Sequence, residues 1–276
     1  MEFGLRGHDI KTSDFGDLTR RFKNNQLNVM QLVLKKTFIN INIQEELQRE
    51  EFINHINEEL QKNNVRVGVL GCYFNMAHPD DRELQEMIEG FKAQIRFGKR
   101  IKCGVVGTET GAINKEYVYE EGNHSEEAYQ RCLSTLKEMV KEAEKEKQYI
   151  AIEGVWSHII HTPEVMKRVL EDINSEYLKV ILDPCNLLNG SNYEEREEVI
   201  KRAFQLYGEK ICAIHLKDFV VEDNEVKEVP IGTGIFRYKP LFDLIAEYNC
   251  NADLVFEGTE EQDIVRSIEY IKKVIG

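Results

Sequence analysis

A chain of 276 residues with 42% hydrophobic and 31% charged side chains can bury a core, which excludes wholesale disorder, and its length suits one closed α/β barrel of about 250 residues. Its 36 basic and 49 acidic residues leave a net charge of −13, which argues against a nucleic-acid backbone as partner and favours a small-molecule substrate. No apolar leader follows "MEFGLRGHD" and no 18-residue apolar run occurs, so the expectation is a cytoplasmic protein with no signal peptide and no membrane span.

Short apolar runs alternate with long amphipathic stretches. The runs are "FGLRG" (3–7), "VMQLVL" (29–34), "VRVGVLGCYF" (65–74), "CGVVGT" (103–108), "YIAIEGV" (149–155), "LKVILD" (178–183), "ICAIHL" (211–216) and "ADLVFEG" (252–258). Each is short and suits a strand buried on both faces. Between the second and third runs, residues 45–63 place Leu47, Phe52, Ile53, Ile56 and Leu60 at helical spacing, which predicts one helix. Residues 80–98 follow Pro79 and open with acids, which suits a helix dipole. Residues 125–146 open on Ser125, an N-cap residue type. Thr162 before Pro163 reads as an N-cap and first-turn pair for 162–173. "GTGIF" (232–236) reads as a turn before the last helix, and 260–275 closes the set. The six cysteines form no CxxC pair, so they read as reduced thiols.

Eight such units, of roughly 34 residues each, imply parallel strands with right-handed crossovers. The predicted fold class is α/β, a single (β/α)8 TIM barrel over residues 1–276. An open doubly wound sheet is the alternative, but it usually carries a glycine-rich phosphate loop, and no GxGxxG or Walker A pattern occurs.

Catalytic groups in such a barrel sit at the C-terminal strand ends. The fifth run ends in Glu153, the sixth in Asp183, the seventh holds His215 and the eighth ends in Glu257, at intervals of 30, 32 and 42 residues. Three carboxylates on one rim repel one another and need a positive partner. One divalent cation held by Glu153, Asp183, His215 and Glu257 meets that need; the donor set suits Mn²⁺, Mg²⁺ or Co²⁺, with Zn²⁺ also compatible.

This order of Glu, Asp, His and Glu, with "VGTETG" (106–111), "HLKD" (215–218) and "GTGIFRY" (232–238), resembles the xylose isomerase-like TIM barrel superfamily along essentially the whole chain. That group includes sugar phosphate isomerases and epimerases, tagatose 3-epimerase, hydroxypyruvate isomerase, inosose dehydratase and endonuclease IV. The resemblance implies acid/base roles for Glu153 and Glu257. Two positions depart from the pattern: Asn186 stands where many members have a histidine, and Lys217 where epimerases usually have an arginine. Asn186 can hydrogen-bond a substrate but cannot carry a proton.

Arg6, His8, His158, Asn186 and Lys217 are the substrate-binding candidates. Arg6 could hold an anionic group, with a rim salt bridge as the alternative. Lys35 or Lys36, Tyr73, Asn75 and Glu109 are pocket-lining candidates, Trp156 serves packing or a sugar face, and His161 reads as a surface residue. The expected activity is a metal-dependent isomerase or epimerase that moves a proton through an enediolate of a small carbohydrate or hydroxy-ketone. The alternatives are a dehydratase of the inosose dehydratase type, an endonuclease IV-like enzyme and a non-catalytic binding barrel. No nucleic acid or membrane partner is expected, and a homo-oligomer is compatible with the sequence.

Overall fold

The computed structural model describes residues 2–39 and 41–276. Eight parallel strands close into a barrel in the order β1-β10-β7-β6-β5-β4-β3-β2. They are β1 (Phe3–Arg6), β2 (Val29–Leu32), β3 (Arg66–Gly71), β4 (Val105–Glu109), β5 (Ile150–Glu153), β6 (Leu178–Leu182), β7 (Ile211–Leu216) and β10 (Asp253–Phe256). Each falls within or against one of the eight apolar runs. Around them lie α1 (Phe15–Asn24), α2 (Leu34–Thr37), α3 (Ile43–Glu46), α4 (Glu50–Asn63), α5 (Asp81–Arg100), α6 (Glu126–Glu146), α7 (Pro163–Ile173), α8 (Arg196–Tyr207), α9 (Tyr238–Glu247) and α10 (Ile264–Ile275). Among the described residues no helix is long and apolar enough to cross a membrane, and all six cysteines are free.

Ser125 and Thr162 cap their helices as the sequence signals, and Asp80 does the same for α5. Asp80 accepts from the backbone N–H groups of Arg82 and Glu83, Ser125 from Ala128 and Thr162 from Val165, satisfying donors that a first turn leaves unpaired. Two expectations need correction. The stretch 45–63 is not one helix: α3 ends at Glu46, Leu47 turns into the core, and Arg49 is extended ahead of α4. The "GTGIF" turn precedes α9, so one further unit separates it from the last helix.

Side-chain alternation along the strands builds the interior in layers. Val69, Val105, Ala151, Ile181 and Ala213 form a separate apolar cluster that fills the lumen. Gly107 makes room in it, because a Cβ there would lie 2.7 Å from Ile181 Cδ1 and 2.8 Å from Val69 Cγ1. At the N-terminal end Arg66 Nη1 pairs with Asp253 Oδ2 at 2.8 Å. Two residues beyond the lumen positions, toward the C-terminal end, stand Glu109, Glu153, Asp183 and His215. The ionisable residues are thus the next layer up the same faces.

The chain adds one element that the eightfold pattern does not require. Directly after β7, β8 (Asp218–Glu222) and β9 (Glu225–Val229) form an antiparallel hairpin. Its two-residue turn is Asp223–Asn224, both at positive φ (52° and 63°), the geometry that matches strand twist in tight hairpins. The turn packs on the loop after β6: a Cβ at Gly190 would overlap the carbonyl oxygen of Asn224.

Candidate metal centre and substrate cavity

Glu153, Asp183, His215 and Glu257 meet at the C-terminal end of the barrel. Each has one polar atom held by a hydrogen bond and a second turned toward the others. Asp183 Oδ1 accepts the backbone N–H groups of Cys185 and Asn186 at 2.9 and 3.0 Å. Glu153 Oε1 accepts from Asn186 Nδ2 at 2.6 Å. Glu257 Oε1 accepts from Arg6 Nη1 at 2.7 Å and pairs with Lys217 Nζ at 2.9 Å. His215 Nε2 bonds Gln31 Oε1 at 2.8 Å; a carbonyl oxygen only accepts, so Nε2 carries the proton.

The second atoms converge. His215 Nδ1 lies 3.0 Å from Glu257 Oε2, 3.5 Å from Asp183 Oδ2 and 3.6 Å from Glu153 Oε2. Ligand atoms of Glu153, Asp183 and His215 all lie within 4.8 Å of one another. His215 Nδ1 is buried without a hydrogen bond and Asp183 Oδ2 has only the Lys217 ammonium at 3.0 Å, so a cation among them would satisfy the unpaired nitrogen. Carboxylate oxygens with one imidazole nitrogen fit a divalent metal ion.

The charges answer one another. Burial alone would raise the Asp183 carboxyl, but Lys217 and His215 hold it well below the usual range. Burial would likewise raise Glu257, and His215 and Lys217 outweigh it, so its carboxyl is lowered. His215 is pushed the other way: burial disfavours its cation, yet Glu153 and Glu257 raise it well above an ordinary imidazole. Lys217 Nζ, 3.0 Å from Asp183 Oδ2 and 3.2 Å from Asn186 Oδ1, is raised against burial by Asp183 and Glu257.

Glu153 and Glu257 line a cavity of about 360 Å³, with Arg6, His8, Lys36, Tyr73, Glu109 and Tyr117 around it. Arg6 is held in a rim salt bridge, with Asp9 Oδ2 2.9 Å from Nε and Glu257 on Nη1. His8 faces the cavity, and burial lowers its imidazole to about 4. Of the lysine pair, Lys36 lines this cavity and Lys35 a separate groove against α5. His158 sits behind the wall, its Nδ1 3.7 Å from Glu109 Oε2. Asn75 serves the backbone, its Oδ1 accepting from Ala77 and Ala112. Trp156 packs on Tyr119 at 5.1 Å, and His161 is half-buried, stacked on His124.

Three participants have no counterpart in the sequence reading. Gln31 is fully buried beside His215; its only signal is one amide inside an apolar run. Glu228, on the hairpin, reaches to 3.9 Å from Lys217 Nζ. Tyr117 OH donates to Glu109 Oε2 at 3.1 Å. Glu109 itself, paired in register with Glu153, is pushed up to about 7 by burial and by that neighbouring carboxylate.

Comparison with known proteins follows this geometry. A family described as xylose isomerase-like TIM barrel matches residues 22–274. An inosose dehydratase of Glaesserella parasuis is 24% identical over 219 residues, 70% of this chain and 70% of its own. Among solved structures, a D-tagatose 3-epimerase-like protein superposes with a TM-score of 0.79 at 18% identity, covering 100% of this chain and 97% of that one. The IOLI protein with a bound zinc atom gives 0.77 at 18% identity, covering 100% and 98%.

Proposed function

The chain belongs to the xylose isomerase-like TIM barrel family, and on that footing we propose that it is a divalent-metal-dependent isomerase or epimerase of a small sugar, sugar phosphate or hydroxy-ketone. In this reading residues 1–276 work as one barrel domain, and Glu153, Asp183, His215 and Glu257 hold the metal. The observation that carries it is the convergence of one atom from each of four side chains, three of them buried, whose other polar atoms are held by hydrogen bonds. The IOLI protein, whose structure holds a zinc atom, and the epimerase-like barrel support the same direction.

A divalent cation bound there would polarise a substrate carbonyl and its neighbouring hydroxyl and stabilise the negative charge of an enediolate. The chain's own groups do the rest. Glu153, its Oε1 steadied by Asn186, takes the proton from the carbon next to the carbonyl. Glu257, steadied by Arg6 and Lys217, takes a proton from solvent and delivers it at the other face or at the adjacent carbon. His8, Arg6 and Lys36 line the cavity for substrate oxygens, and His158 backs the wall through Glu109.

A second reading, dehydration, has its own observation. Glu109 lines the same cavity in register with Glu153, burial and that carboxylate push it up to about 7, the direction needed by an acid that protonates a departing hydroxyl, and an inosose dehydratase is among the relatives.

Solvent exchange tests both. With Mn²⁺ or Co²⁺ loaded, a panel of ketoses and inososes in deuterated water should show deuterium entering the carbon beside the carbonyl. Glu153→Gln and Glu257→Gln should each lose this by about 100-fold or more. Product lighter by one water assigns the dehydratase reading. Normal turnover by both variants would end the enediolate mechanism.

A further inference from the structure

Gln31 links the proposed metal ligand to a cavity wall. Its Oε1 takes the proton of His215 Nε2 at 2.8 Å, and its Nε2 donates to Tyr73 OH at 2.7 Å. The direction of this chain is forced. With His215 Nδ1 turned to the carboxylate oxygens as a lone pair for a metal, the imidazole proton must sit on Nε2. Gln31 must then present its carbonyl to the ring and its NH₂ to the phenol. Tyr73 OH is therefore an acceptor on this side, and its own proton points elsewhere. Among the described residues the phenol makes no other hydrogen bond, and Tyr73 lines the same cavity as Glu153 and Glu257.

We propose that Gln31 is a positioning residue that fixes the His215 ring and, in the same act, turns the Tyr73 hydroxyl proton into the cavity, where it donates to a substrate oxygen beside the metal. The proposal rests on the metal reading above. Burial, with Glu153 and Glu257 nearby, raises the phenol well above its ordinary value, so the donor persists across neutral pH. An amide suits position 31 because it offers an acceptor to the imidazole and a donor to the phenol. A carboxylate would accept from both, and would draw the phenol proton away from the cavity.

The test uses Co²⁺ alone and then acetohydroxamate, a small chelator that mimics an enediolate, on Co²⁺-loaded full-length protein. Tyr73→Phe should leave Co²⁺ affinity within about twofold and weaken acetohydroxamate about 5–10-fold, the loss of one hydrogen bond. Gln31→Leu should weaken Co²⁺ about 10–100-fold through loss of ring support. Gln31→Glu separates the two roles. It should keep or raise Co²⁺ affinity and yet lower acetohydroxamate binding to the Tyr73→Phe level. The double variant Gln31→Glu, Tyr73→Phe should lose nothing further, since both changes remove one donor. A merely structural glutamine would show neither the split nor the non-additivity. Wild-type acetohydroxamate affinity in Tyr73→Phe or in Gln31→Glu overturns the proposal. So does Co²⁺-loaded wild type that takes no acetohydroxamate. Wild type that binds no Co²⁺ overturns the metal reading, and this proposal with it.

Discussion

Lys217 and Asp183 form a buried ion pair, Nζ to Oδ2 at 3.0 Å, with side chains 7% and 0% exposed. Asp183 Oδ2 is also the atom that faces His215 Nδ1, at 3.5 Å, in the proposed metal site. The ammonium therefore supplies the countercharge the carboxylates need, beside the place a cation would take. Breaking a buried pair by removing one partner costs about 3–5 kcal/mol. Lys217→Met should lose that much in EDTA, and Co²⁺ should raise its melting temperature by more than it raises wild type's. Equal shifts in the two proteins would mean that the cluster does not sense the Lys217 charge.

Ligand substitutions should rank by what they remove. Asp183→Ala and His215→Ala each delete one of the converging atoms, whereas Asn186→Ala releases Glu153 Oε1 and takes an acceptor from Lys217. The outer substitution should cost about 10–100-fold in Mn²⁺ or Co²⁺ affinity, and the two inner ones more. Calorimetric titration of chelator-stripped protein reads the order directly, and an Asn186 variant weaker than both would refute it.

His158 makes stability fall in acid. Burial lowers its imidazole from 6.5 to about 4, and its Nδ1 has no hydrogen-bond partner. The unfolded chain binds this proton first, so the contribution is intact above pH 6.5 and is lost as pH falls toward 4. A displacement of that size is worth about 3 kcal/mol. His158→Gln should flatten the loss of stability between pH 6.5 and 4 in denaturant melts. An unchanged slope would show that His158 does not carry it.

Asp218 should act on the loop before α9. Its carboxylate accepts backbone N–H bonds from Phe219, Gly232, Gly234 and Phe236 at 2.9 to 3.0 Å, and it is 1% exposed. Asp218→Ala leaves those donors unpaired and should cost at least about 3 kcal/mol. Hydrogen exchange at Gly232, Gly234 and Phe236 should accelerate, while the strands β4 and β5 stay protected. Uniform acceleration across the barrel would point to global destabilisation instead.

What was legible in the sequence follows from burial. Parallel strands covered on both faces read as plain apolar runs, so all eight barrel strands could be placed. An ionisable residue ending such a run stands out, which exposed Glu153, Asp183, His215 and Glu257 as a set. Gln31 stayed hidden because its meaning lies in a partner 184 positions away. The raised carboxyl of Glu109 depends on its register with Glu153, which no local pattern encodes. The β8–β9 hairpin carried a signal in its Asp223–Asn224 turn, but it begins two residues after β7 and half of its strand residues are charged. That made it read as rim rather than as structure.

The hairpin has a consequence for the surroundings of Lys217, which Glu228 reaches from β9. It is rooted beside His215, where Asp218 binds the following loop, and its tip rests on Gly190 in the loop after β6. A span supported at both feet is an arch, not a flap. A side chain at position 190 would meet the backbone of Asn224 and lift the crown of the arch, and the displacement would pass down the hairpin to Glu228, which stands beside Lys217.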